Sequence, residues 1–238
     1  MKNVTILILI TLSILSAAVS WGGSILPSKH NLSRSGPGPY KVDFMGTEMV
    51  CVFCHTPHNA MQDIPLWNRY PSAVAGSSYM LYSSSATMKN ISHRSGFTSD
   101  SISSMCLNCH DGSPLGGSSA LWIQPVDGNS NVAGPNGEPG IANTRNSYFS
   151  TNLRNHHPVN FDVTVSGAAN GLGDVVTTTS GTVMKTDTVP NGLPLFRSAR
   201  GNNTLECSSC HFVHNPDNQA FLRLTTSGNM LCLACHIY

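Results

Sequence analysis

The sequence contains few charged residues. Asp, Glu, Lys and Arg make up 11% of its 238 residues, against about 25% in an ordinary globular domain. The 13 basic and 12 acidic residues nearly cancel, giving a formal net charge of +1. That balance provides no electrostatic basis for binding nucleic acid or an anionic membrane. Ser, Gly, Asn, Thr and Pro are abundant instead, so composition alone indicates too little apolar material for a protein-only core.

Long apolar runs are absent after the first twenty residues. Residues 4–19 form an apolar run behind a basic start, and small residues close it at Ala17, Ala18 and Ser20. The run is shorter than the roughly 20 apolar residues that a membrane-spanning helix needs, and its pattern is typical of a secretory signal peptide. We therefore expect residues 1–20 to be a signal peptide. The mature chain, without a transmembrane segment, is expected to pass through the periplasm to the cell surface or the extracellular space.

No cysteine is left unassigned, because all eight lie in four copies of the word C-x-x-C-H. The cysteines are Cys51, Cys54, Cys106, Cys109, Cys207, Cys210, Cys232 and Cys235. The histidines that complete the words are His55, His110, His211 and His236. In this word two thiols add across the vinyl groups of a porphyrin, and the adjacent histidine binds its iron. The pattern predicts four covalently bound haem c groups. Zinc knuckles or disulfides are the alternatives, but neither accounts for a histidine after every second cysteine.

The haem words occur in pairs, which indicates an internal duplication. Each half contains C-x-x-C-H-x-x-H-N, a spacer, and then C-L-x-C-H. The first cysteines of the two words are 55 positions apart in the first half and 25 in the second, so the first half carries an insertion. We predict a first dihaem half over residues 21–145, including the insertion and a glycine-rich linker, and a second dihaem half over residues 146–238.

Little regular secondary structure is expected. Short helices are predicted over residues 101–108 and 218–224, and alternating apolar residues predict strands over 159–166 and 175–183. Residues 111–145 are rich in Gly, Ser, Pro and Asn, which predicts loop. The expected fold class is therefore a multihaem cytochrome c that is dominated by coil, with a few short helices and minor strands around a haem-organised core.

Six histidines outside the haem words are candidates for the second axial position on iron. They are His30, His58, His93, His156, His157 and His214. His58 and His214 stand three residues beyond a proximal histidine in both halves, a spacing that points each towards a neighbouring iron. We expect His58 on the second haem and His214 on the fourth.

The first and third haems then need ligands from upstream of each half. His30 is expected on the first haem and His157 on the third. His156 stays open as an additional ligand, because adjacent residues of an extended chain face opposite sides. His93 lies in the insertion and has the weakest claim. Methionine is the competing ligand type, but the surplus of histidines favours two histidines on each iron.

Several phrases of the sequence carry a family resemblance. They are CVFCHTPHN at 51–59, MCLNCHDG at 105–112, NHHPV at 155–159 and KHNLS at 29–33. They resemble the paired C-x-x-C-H multihaem cytochromes, most closely the OmcE-type tetrahaem cytochromes of metal-reducing microbes. The resemblance runs from about residue 28 to the C terminus. It implies polymerisation into extracellular filaments, the cytochrome nanowires, in which the haems form one stack. It also implies that one haem takes its distal histidine from the adjacent subunit, and His30 matches that donor.

The sequence thus predicts an electron carrier rather than an enzyme, because two histidines on every iron would exclude substrate. As implied by the resemblance, copies would join head-to-tail into a homopolymer, with redox partners at the cell surface. Three alternatives stay open: a soluble periplasmic tetrahaem shuttle, a haem reductase with one open iron, and a haem-bearing domain of a larger complex.

Overall fold

The computed structural model describes most of the chain outside its N terminus. The described residues are 24–43, 46–58, 60, 66–69, 79–84, 96–115, 132–166 and 171–237. The predicted signal peptide and His93 lie outside these residues. No helix in the described ranges combines the length and apolar character needed to cross a membrane.

Short elements joined by turns make up the described chain. The helices are α1 (Ile102–His110), α2 (Val163–Ser166), α3 (Cys207–Cys210) and α4 (Met230–Leu233). Single 3-10 turns occur at Cys51–Phe53, Pro135–Gly137, Gln219–Phe221 and Ser227–Asn229. The strands are β1 (Met80–Leu81), β2 (Asn152–Leu153), β3 (Phe161–Asp162), β4 (Asp174–Thr178), β5 (Gly181–Lys185), β6 (Leu193–Pro194), β7 (Phe196–Ser198) and β8 (Gly201–Leu205). The prediction of a coil-dominated fold with short elements is confirmed.

The strands form three small sheets. β1 runs parallel to β2, β8 lies between β3 and β7, and β5 lies between β4 and β6, the last two sheets being antiparallel. The strand predicted over 175–183 is a hairpin instead, because Thr178 pairs with Gly181 across a tight turn and Gly181 has a φ of 120°. The strand predicted over 159–166 ends after Asp162, where the helical turn α2 begins.

The helix expected over 101–108 is confirmed as α1. The chain enters it from extended backbone at Ser101, whose carbonyl oxygen accepts from Ser104 Oγ at 2.6 Å. It ends before Gly112, which has a φ of +90°, a conformation that favours glycine. A Cβ at that position would lie 2.6 Å from the ring of Tyr148. The helix is long enough to carry the whole second haem word on one element.

The helix expected over 218–224 is wrong, since only a 3-10 turn forms there. Ala220 and Phe221 have φ values of 57° and 60°, outside the right-handed helical region. The segment folds back over the third haem word instead: the Phe212 N–H donates to the Phe221 carbonyl at 2.7 Å, and Leu222 forms an isolated bridge with His211. Long-range pairing with that word overrides the local helical tendency.

Apolar burial among the described residues is divided into four small clusters. One packs Phe53 with Tyr40, Val42, Leu115 and Val132, and Cys54 and Cys109 lie against it. The cluster of Val189, Leu193 and Ala234 has Cys210 and Cys235 against it. The remaining two are centred on Phe161, Val163, Met184, Leu195 and Leu205, and on Tyr79, Leu81, Phe97, Leu107 and Leu153. Three of these clusters have cysteines of the haem words packed against them, and the cluster around Phe161 also joins side chains from β3, β5 and β8.

Candidate haem sites

Three of the four haem words share one local structure. In the first, third and fourth words the histidine N–H donates to the carbonyl of the first cysteine, at 2.8, 3.0 and 2.9 Å, which closes one helical turn. Each of these histidines then forms an isolated antiparallel bridge to another part of the chain. The bridges are His55 with Trp67, His211 with Leu222 and His236 with Leu172. The turn holds both cysteines and the histidine on one short element. The bridge fixes the direction in which the backbone continues from the histidine.

All eight cysteines are free thiols, and most lie in apolar surroundings. Burial raises the pKa of Cys54 to about 12, of Cys235 to about 12 and of Cys210 to about 11, and neighbouring cysteines contribute in each case. These thiols are therefore protonated at neutral pH. No group of three or more His, Cys, Asp or Glu side chains in the described ranges is arranged to hold a metal ion directly.

The haem words lie next to one another in the order of the sequence. Cys54 of the first word and Cys109 of the second pack against the same apolar cluster. The side chains of Cys106 in the second word and Cys207 in the third are hydrogen-bonded to each other. Cys210 of the third word shares a cluster with Cys235 of the fourth, and the two interact electrostatically. The four words thus form a row with three junctions, which we call the first, middle and third junctions.

Two proximal histidines have their ring orientation fixed by a backbone carbonyl. His110 Nδ1 lies 2.7 Å from the Ser147 oxygen, and His211 Nδ1 lies 2.7 Å from the Ala220 oxygen. A carbonyl oxygen only accepts, so Nδ1 carries the proton in both rings and Nε2 keeps a free lone pair. Metal-bound histidines are held in this way. The two rings therefore have the tautomer that iron ligation through Nε2 requires.

Three pairs of histidine rings have the separation expected across one iron. A bond from a metal ion to an imidazole nitrogen is about 2 Å long, so two imidazoles on opposite faces of one iron have ring centroids about 6 Å apart. The observed centroid distances are 6.0 Å for His30 and His110, 6.1 Å for His55 and His214, and 6.3 Å for His157 and His236. Each pair joins one proximal histidine to one histidine from outside the haem words. The residues present therefore fit haem with histidine on both faces.

Four of the six paired rings have a lowered pKa, which favours the neutral form that binds metal. Burial lowers the pKa of His30 to about 4, and nearby imidazoles add to the effect. Burial likewise lowers the pKa of His110, His214 and His236, and for the last two the facing ring of the pair contributes. Neutral imidazole is the form that ligates iron, so the electrostatics of these pairs agree with their spacing.

The pairs differ from the order that the sequence suggested. His214 faces the first proximal histidine rather than the fourth, His30 faces the second rather than the first, and His157 faces the fourth rather than the third. The spacing along the chain excludes some irons as partners of a given histidine. Which of the remaining irons the histidine faces depends on tertiary packing. His30 is held within its own chain by stacking on Phe221, with centroids 4.5 Å apart and planes 8° apart.

Two of the described candidates, His58 and His156, pair with no proximal histidine ring in the described part of the chain. His58 is exposed, and its N–H donates to Thr56 Oγ1 at 3.4 Å. His156 is also exposed, with its ring edge against Phe149 at 5.2 Å. Within the described part of the chain, no histidine ring faces His211 as the three pairs face one another. The partner of the third proximal histidine is thus left to His58, His156, the undescribed His93, or another copy of the chain.

Two fully buried ionisable residues next to the haem words were not predicted. Arg69 is 0% exposed and donates from Nη2 to the Asn108 and Pro114 carbonyls, at 3.2 and 2.9 Å. Glu206 is 1% exposed and directly precedes Cys207. A sequence signal existed only for Glu206, because an acid before a C-x-x-C word and three residues before a serine is the pattern of a helix cap. Nothing in the sequence marks Arg69 as buried.

A comparison with protein families agrees with this geometry. Residues 201–237 match the model of the doubled CXXCH motif. That segment contains the third and fourth haem words, with the bridge between His211 and Leu222 inside it. The doubled motif implies covalent haem c and a haem-binding cytochrome c in electron transfer. A comparison with curated proteins gives no match.

Proposed function

We propose that this chain is an exported tetrahaem c-type cytochrome that carries electrons along a row of four haems. The observation that supports it most is the order of the haem words, since the cysteines of neighbouring words share an apolar cluster at the first and third junctions and a hydrogen bond at the middle junction. Haem iron supplies the one-electron chemistry, and the protein's part is to hold, orient and tune each group.

The residues that hold each haem follow from the motifs and the ring pairs. Two cysteines of each word form the thioethers, and the histidine of the word binds the proximal face. On the distal face we assign His214 to the first haem, His30 to the second and His157 to the fourth. Ligation by two histidines gives low reduction potentials compared with histidine and methionine, and it closes these three irons to substrate.

The third haem decides between carrier and enzyme. If a histidine from this chain or from another copy binds opposite His211, every iron is closed and the chain is a carrier. If that face stays open, the third haem is a reductase site, which is the second candidate function. The exposed imidazoles of His58 and His156 support closure, because either can reach a haem of a neighbouring copy.

We also propose that copies join head-to-tail into an extracellular filament, as the resemblance to OmcE-type cytochromes implies. A ligand passed from one copy to the next is a heterologous contact, which propagates when the rotation does not close. The stacked position of His30 on Phe221 favours a surface histidine, rather than His30, as the shared ligand. A soluble periplasmic shuttle is the alternative in which no ligand is shared.

Haem content and ligation are tested on the secreted protein. Intact-mass measurement is expected to show a chain that starts near residue 21 and carries four haems, and a chain without haem would contradict the proposal. The ferric absorption and electron paramagnetic resonance spectra are expected to show low-spin haem only. A high-spin component that shifts on addition of cyanide or nitrite would favour the reductase.

Assembly is tested separately by negative-stain microscopy of material sheared from expressing cells. Thin uniform fibres are expected from the unaltered chain, and only monomers would favour the shuttle. His30→Ala is expected to leave the fibres intact, while His58→Ala and His156→Ala test the two surface donors. Loss of fibres in either surface variant, with four haems retained, identifies the shared ligand.

A further inference from the structure

Glu206 is a buried carboxylate at the middle junction, and every contact it makes there is with a neutral donor. Its Oε2 accepts from Ser101 Oγ at 2.7 Å, from Ser103 Oγ at 2.5 Å and from the Ser103 N–H at 3.3 Å. Its Oε1 accepts from Asn160 Nδ2 at 2.9 Å. The side chain itself is 1% exposed. Residues from both halves of the chain thus converge on one carboxylate.

The donors around Glu206 suit a carboxylate that only accepts. The Ser103 N–H and the Asn160 Nδ2 group can only donate, and one binds each carboxylate oxygen. The Ser103 hydroxyl oxygen also accepts from the Cys207 N–H at 2.9 Å, so this hydroxyl links Glu206 to the third haem word. An acceptor-only carboxylate satisfies all of these donors, and such charge-assisted hydrogen bonds are the stronger kind.

No cationic side chain in the described ranges forms an ion pair with Glu206. A guanidinium is linked to it only through Asn160, whose Oδ1 accepts from Arg200 Nε at 3.4 Å. The first junction is different, because it contains the buried Arg69 together with Asp111, which is 9% exposed. Charge at the first junction is therefore mixed, whereas at the middle junction the carboxylate binds only neutral groups directly and the Arg200 guanidinium lies one residue further out, beyond Asn160.

The carboxylate is adjacent to two haem attachment sites at once. Glu206 directly precedes Cys207 and caps α3, where its side chain accepts from the Ser209 N–H. Ser103, which it binds, lies on α1 one helical turn before Cys106. The Cys106 and Cys207 side chains are in turn hydrogen-bonded to each other. The second and third haems would thus both be attached beside this charge.

We propose that Glu206 lowers the reduction potentials of the second and third haems, an inference that rests on the proposed tetrahaem function. Reduction adds one electron to the iron and makes the haem one unit more negative. A fixed negative charge nearby opposes that change, and the opposition is strong where water cannot screen it. The middle of the row is then harder to reduce than it would be with a neutral residue at this position.

Glu206→Gln tests the charge with little change of shape. Redox titration of the four-haem protein, followed by absorption, is expected to show two of the four potentials shifted upward and two unchanged. Glu206→Asp is the matched control that keeps the charge but disturbs the packing, so it is expected to lower Tm while the potentials stay. Glu48→Gln controls for charge in general, because Glu48 precedes the first haem word but is exposed. It is expected to leave all four potentials in place.

Several outcomes would overturn the inference. They are unchanged potentials in a four-haem Glu206→Gln protein, an equal shift in Glu206→Asp, and a shift spread over all four haems. If Glu206→Gln fails to load haem, Ser101→Ala tests the same inference, with an expected shift of the opposite sign. Removing one donor leaves the carboxylate less neutralised, so the same two potentials are expected to move down, and no movement would contradict the inference. An unaltered protein without four haems would instead contradict the proposed function.

Discussion

The first and third haem words have the same sequence pattern and the same turn, but the protein anchors them differently. The first is preceded by Val50 and has Phe53 at its third position, buried in an apolar cluster. The third is preceded by Glu206 and has Ser209 there, in a reciprocal capping box. The motif therefore determines the local turn, while the residues inside and before it decide whether apolar packing or hydrogen bonds hold the turn in place.

The histidines three residues past these words also differ. His58 and His214 are both exposed, but in the described part of the chain only His214 faces a proximal histidine, His55 at 6.1 Å, and its ring also lies 5.7 Å from Phe212. Positions with the same spacing after a haem word thus have different neighbours. The spacing along the chain is the same, but which haem word each histidine faces depends on tertiary packing.

Replacement of the histidine after the third word is expected to have the largest effect on the sites. His214→Ala removes the ring opposite His55, so one haem of four changes from low spin to high spin and binds carbon monoxide when reduced. Electron paramagnetic resonance and carbon monoxide difference spectra measure this directly.

The haem affected by His214→Ala can be identified with a second background. In Cys51→Ala/Cys54→Ala the first haem is not attached, so the high-spin signal of His214→Ala is expected to disappear there. Any signal from His58→Ala is expected to persist in the same background, because His58 does not face the first word. Persistence of the His214→Ala signal would show that His214 serves a different haem.

The two anchors are expected to differ in their contribution to stability. Phe53→Ala leaves a cavity in the apolar cluster and is expected to cost about 3–5 kcal/mol of unfolding free energy. Ser209→Ala removes the hydrogen bond that its hydroxyl accepts from the Glu206 N–H at 3.0 Å, which is expected to cost about 1 kcal/mol. Denaturant unfolding of the haem-loaded proteins measures both. Equal losses of unfolding free energy in the two variants would contradict this difference between the apolar and polar anchors.

Local features of the fold were predictable from the sequence, and long-range ones were not. The helix α1 is predictable because the sequence features that form it and the glycine that ends it, Gly112, are local. The segment 218–224 was mistaken for a helix because its structure depends on pairing with Phe212 and His211, more than seven residues away. β4 and β5 were merged into one strand because the turn at Gly181 interrupts an otherwise continuous strand-forming pattern.

The candidate sites divide in the same way. Every cysteine and proximal histidine is specified by a five-residue word, so all of them follow from the sequence. Which distal histidine faces which word depends on how the halves pack, and no spacing encodes that. Glu206 was overlooked because burial of a charge is decided by donors such as Ser101 and Asn160, which are 105 and 46 residues away.

The smallest expected effect concerns the carboxylates of Glu48 and Asp162, which precede the first and third haem words in the sequence. Hydrogen bonds from Ser35 and then Arg34 lower the pKa of Glu48 from 4.5 to about 2. Burial raises the pKa of Asp162, but hydrogen bonds from Thr164 and from the backbone of Asn203 outweigh it, so the net shift from 3.8 is downward.

Both shifts have the same sign for stability. A carboxyl group with a folded pKa below its unfolded value stabilises the fold fully above the unfolded pKa, and that stabilisation is lost as the pH falls through the folded value. The protein is therefore expected to lose stability between about pH 5 and pH 2. Asp162→Asn should flatten this loss more than Glu48→Gln, because Glu48 is exposed and its pairing with Arg34 is screened by salt. Unfolding measured across that pH range at low and high salt tests this. A larger effect of Glu48→Gln than of Asp162→Asn at high salt would contradict the expectation.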